Sequence, residues 1–97
     1  MKFTVRISDR ALRDITGARD WYDDQVSSLG QEFGVQLDLV FQRLAEQPLM
    51  FGMIHRHVPR ALTRRFPYAI YFVIDDDRVT ILRVLHQAAS RVHGSAD

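Results

Sequence analysis

Nineteen residues near the C-terminus constrain this chain more than any others. Tyr68 to Ile74 is an unbroken apolar run of aromatic and β-branched residues, and Arg78 to His86 runs back as another strand. Asp75, Asp76 and Asp77 sit between them as a polar turn. Such residues favour strand over helix, and Asp side chains bond their own backbone in turns. The pattern predicts strands at 68–75 and 78–86 joined as a hairpin. Apolar residues occupy both faces of the first run, so neither face is fully wet. Alternation sends Tyr68, Ile70, Phe72 and Ile74 to one side and Ala69, Tyr71 and Val73 to the other.

The preceding half supplies a cover for one side. Phe3, Val5 and Ile7 alternate with polar residues, which predicts a strand at 2–7. Ser8 then serves as an N-cap with Asp9 in the first turn, opening a helix over 9–26. Leu12, Ile15, Ala18, Tyr22 and Val26 form its apolar stripe, with Asp14 among the residues expected to point elsewhere. Gly17 costs this helix about 1 kcal/mol relative to Ala, and close packing would account for it. Ser28 and Gln31 have capping-box spacing for a second helix over 30–47, whose stripe is Phe33, Leu37, Val40, Phe41 and Leu44. Pro48 ends it. The short link makes the two helices antiparallel.

Residues 49–60 read as a loop or irregular edge, 61–66 as an extended segment before Pro67, and 87–97 as a tail or a single helical turn. The fold class is therefore α+β in the order β-α-α-β-β-β, a helical hairpin on a small, mainly antiparallel twisted sheet. At 97 residues, 1–97 is expected to be a single domain. The far side of the central strand needs its own cover, either residues 49–58 or another polypeptide.

Composition narrows the chemistry. No cysteine is present, which removes disulfides, thiolate metal sites and a Cys nucleophile. His55 and His57 are two metal ligands without a third nearby, so no metal is expected, and no motif calls for a cofactor. No apolar run is long enough to span a membrane and the N-terminus lacks a signal-peptide pattern, which points to the cytoplasm. The net charge of +1 conceals an asymmetry: residues 1–48 carry six basic and eight acidic side chains, residues 49–97 seven and four. Between 54 and 74 lie Arg56, Arg60, Arg64 and Arg65 with His55 and His57 and no acid, a cluster able to face an anionic partner. Arg64 and Arg65 are strand neighbours, so only one of them can share a face with Arg83. His86 can exchange a proton near neutral pH or simply end a strand.

The helix pattern ALRDITGARDWY, the break from Gly30 to Phe33 and above all RRFPYAIYFVIDDDRVTILRVLH from Arg64 to His86 resemble the ParE/RelE superfamily, toxins of bacterial type II toxin–antitoxin systems, often called plasmid stabilisation proteins. The resemblance runs over about residues 2–86 and implies growth inhibition relieved by a cognate antitoxin in a hetero-oligomer. Two chemistries occur on this fold. The FPY and ILRVLH elements are closer to the ParE branch, which implies a non-catalytic protein that binds DNA gyrase through a surface containing Arg60, Arg64, Arg65, Tyr71, Val73, Arg83 and His86. The RelE alternative implies cleavage of ribosome-bound mRNA, with Arg65 and Arg83 at the phosphate and His86 or His93 transferring a proton. Gln87, Ala88 and Ala89 stand where those nucleases carry a basic cluster and a terminal Tyr.

Overall fold

In the computed structural model, residues 2–50, 53–54, 58–62 and 66–87 are described. The elements are β1 (Thr4–Ile7), α1 (Asp9–Gln25), α2 (Leu29–Glu46), a 3-10 turn (Pro48–Met50), β2 (Met53–Ile54), β3 (Val58–Leu62), β4 (Tyr68–Asp75) and β5 (Arg78–His86). The strand order is β1-β5-β4-β3-β2, a mixed sheet of four strands with two-residue β2 added at its far edge. β1 runs parallel to β5, and the remaining pairs are antiparallel. The α+β class and the helical hairpin on the sheet stand as expected.

β4 and β5 have the expected limits. Their ladder runs from Tyr68 opposite His86 to Asp75 opposite Arg78, with a bulge where Tyr71 faces Arg83 and Phe72 faces Ile81. Leu82 is the extra residue. Asp76 takes the left-handed backbone of the tight turn (φ 55), a conformation that Asp tolerates better than most residues.

The helices pack on the sheet through two stripes with the same 4-3-4 spacing: Ala11, Ile15, Ala18 and Tyr22 on α1, and Phe33, Leu37, Val40 and Leu44 on α2. These meet Ile70, Phe72, Val79, Ile81 and Val84. Tyr68 and Ile74 join them part-buried, so the expected helix-facing side of β4 is the observed one. Two members of the predicted α1 stripe are corrected. Leu12 lies about a quarter of a turn from the buried line and is 53% exposed, whereas Val26 has already left the helix in extended conformation and is 59% exposed.

The segment before β4 differs most from expectation. In place of a loop or irregular edge at 49–60 and a strand at 61–66, the chain makes the 3-10 turn, β2, and β3 ending at Leu62. Phe66 has left the ladder. The Tyr68 amide donates to the Phe66 carbonyl at 2.8 Å, a turn over Pro67 that suits proline's fixed φ. The Phe66 ring then packs against Tyr22 and Phe33, with centroids at 4.9 and 5.3 Å. Tyr68 completes the cluster, 4.9 Å from Phe33, so four rings join both helices to the start of β4. Each such pair contributes about 1 kcal/mol beyond area burial.

Glycine roles also change place. A Cβ on Gly17 would meet nothing within 4 Å, so packing does not explain that residue. On Gly30 it would lie 2.5 Å from the Arg19 carbonyl oxygen and 2.7 Å from the Asp23 carboxyl, so the close helix–helix approach is here.

Candidate functional site

The junction between β1 and α1 arranges the site. β1 accompanies β5 only as far as Ile7 opposite Ile81, after which the chain turns into α1. That would leave the outer edge of β5 open from Leu82 onward, with polar backbone groups unpaired at a part-buried position. Two α1-side residues fill the gap. Ser8 caps the helix by accepting the Ala11 amide at 3.0 Å, and its hydroxyl donates to the Leu82 carbonyl at 3.0 Å. Asp14 accepts the Val84 amide at 3.0 Å.

Asp14 also takes Arg83. Its Oδ2 accepts from Nε at 2.8 Å and its Oδ1 from Nη2 at 3.0 Å, a fork-to-fork pair with side chains 33% exposed for Arg83 and 15% for Asp14. The hydrogen bonds that Arg83 donates to Asp14 hold the guanidinium more firmly protonated than usual, against a smaller opposing effect of burial. The expectation that Asp14 points away from the core is overturned. It lies three residues after Ala11 and four before Ala18, on the buried stripe itself, and that spacing was the available signal.

The candidate residues separate into groups. Arg60 stands opposite Tyr71, which stands opposite Arg83, so these three form one row across β3, β4 and β5. Val73 lies further along β4, opposite Thr80. His86 is at the end of β5 opposite Tyr68, exposed, with the two rings in edge-on contact at 5.4 Å. Arg64, Arg65 and His93 lie outside the described residues, as do His55, Arg56 and His57. Among the described residues no group of His, Cys, Asp and Glu could hold a metal ion.

Burial raises the phenol of Tyr68 above its ordinary 10.0, helped by the charges of Tyr22 and Asp14, and burial raises Tyr22 likewise. Neither phenol is set up as a base near neutral pH. On the opposite flank of the helices, a groove of about 250 Å³ is lined by Ile7, Leu12, Val35 and Phe41, with Arg19 and Asp38 among its polar lining. Ile7, Leu12 and Val35 are each at least 40% exposed, an apolar surface the sequence stripes did not announce. No described helix is long and apolar enough to cross a membrane.

Two helices packed on a mixed sheet also form the fold of solved chains from toxin–antitoxin systems. The chromosomal ParDE system of P. aeruginosa contains a chain that superposes with a TM-score of 0.76 over 88% of this chain and 96% of its own, at 13% identity. The RelBE2 toxin–antitoxin complex of Mycobacterium tuberculosis contains another, with a TM-score of 0.57, 27% identity and coverage of 89% and 99%. Comparison with curated protein sequences finds no match. The family model of the ParE toxin of the type II toxin–antitoxin system parDE matches residues 5–90, and the chain belongs to that family.

Proposed function

We propose that this ParE-family toxin acts by binding rather than by cleaving, that its target is DNA gyrase, and that a cognate antitoxin folding over it neutralises it. The observation that carries the reading is the state of Arg83. A ribonuclease on this fold needs guanidinium groups free to meet a scissile phosphate, and here the Arg83 fork is already filled by Asp14. Pulling the pair apart would leave a part-buried carboxylate without its counter-charge and break two charge-assisted hydrogen bonds, so an external phosphate has to displace an ordered partner. The exposed apolar groove on the helices supports a protein partner, since patches of this kind on small domains commonly mark interaction surfaces.

The reading is tested by adding purified protein to gyrase supercoiling assays and, separately, to a translation system in which mRNA ends are mapped. Loss of supercoiling with intact mRNA, reversed by the product of the adjacent open reading frame, is the expected outcome. Discrete mRNA cuts abolished by Arg83→Ala, with supercoiling unaffected, would replace it with the RelE-type activity.

A further inference from the structure

We propose that Asp14 is an internal stand-in for phosphate that closes Arg83 to external anions. The argument is geometric. Arg83 presents Nε and Nη2, the pair of donors with which arginine recognises either a carboxylate or a phosphate, and both point at the two oxygens of Asp14. Asp14 is fixed independently of this contact, because Oδ2 also accepts the Val84 amide and α1 is anchored at its start by Ser8 on Leu82. An external phosphate therefore competes against a ligand that is already ordered and pays no cost of association. Arg83 is nevertheless one-third exposed, so an external anion could reach its guanidinium if Asp14 did not fill the fork. Asp14 thus sets whether the row Arg60–Tyr71–Arg83 can offer a phosphate-binding fork or is only structural.

The inference shares an observation with the binding reading but concerns anion affinity alone, so its test is independent of gyrase. A short fluorescein-labelled single-stranded RNA is titrated with wild type, Asp14→Asn, Asp20→Asn and the double variant Asp14→Asn/Arg83→Gln. The side-chain amide introduced by Asp14→Asn retains an acceptor for the Val84 N–H, but its NH2 group cannot accept the second Arg83 bond. Asp20→Asn changes the net charge equally from an exposed position of the same helix. Asp14→Asn is expected to bind RNA about tenfold more tightly than Asp20→Asn, the worth of one charge-assisted contact, with the gain absent from the double variant. Equal affinity of the two single variants, or a gain that survives Arg83→Gln, overturns the proposal. A measurement on the wild type needs no substitution: the Arg83 Nε–H resonance should stay unmoved as inorganic phosphate is added, and a saturating shift would show the site open.

Discussion

Ser8 and Ser28 each stand immediately before a helix, yet they do different work. Ser8 has extended backbone (φ −66, ψ 161) and caps α1 through its side chain. Ser28 has left-handed backbone (φ 71, ψ 0) and makes no side-chain cap. The amide of Gly30 is taken instead by Asp23 of the preceding helix, at 2.7 Å. The difference follows from what each serine must connect. Ser8 continues a strand into a helix, so it is already extended, the backbone a capping hydroxyl needs. Ser28 closes a three-residue reversal between antiparallel helices with positive φ, away from the extended backbone from which a serine hydroxyl caps. A capping-box spacing reports residue types, whereas capping depends on backbone direction, and the tight contact of Gly30 with α1 puts Asp23 within reach.

The contrast can be broken at four points. Gly30→Ala should do most damage, about 3 kcal/mol in urea unfolding, because the new methyl meets a helix carbonyl that cannot yield without bending α1. Ser8→Ala should cost about 2 kcal/mol, since it removes the cap and also strips the Leu82 carbonyl of its partner. A loss within about 0.5 kcal/mol of zero would mean that water replaces both bonds. Gly17→Ala should stabilise by about 1 kcal/mol, the helix propensity difference, because that position is open. Ser28→Ala should change the unfolding free energy least, by under about 0.5 kcal/mol, the ordinary range for a surface change without a specific contact. If it instead matched Ser8→Ala, the two serines would be equivalent after all and the Asp23 contact dispensable.

Legibility followed locality. The β4–β5 hairpin was readable to the residue because composition, turn chemistry and length all agreed within one continuous stretch. β3 was placed too late along the chain because an X-Pro sequence reads as extended whether or not it pairs, and Phe66 is drawn out of the ladder by rings from α1 and α2. Of the candidate site residues, Arg60, Tyr71 and Arg83 do share one row, as hairpin register implies, but the partner that decides what Arg83 can do was missed. Asp14 is 69 residues away in sequence and looks like any solvated helix acid unless its place on the buried stripe is counted.

What the amino-acid order determined alone was the set of elements and most of their faces, since helix and strand periodicities are local properties of the backbone. Tertiary structure decided the parallel placement of β1 beside β5, the donor and acceptor roles of Ser8 and Asp14 along the exposed edge, and the closure of Arg83. Those depend on where one chain segment stops accompanying another, and the unpaired backbone groups left at that point must find whichever side chain the fold brings near.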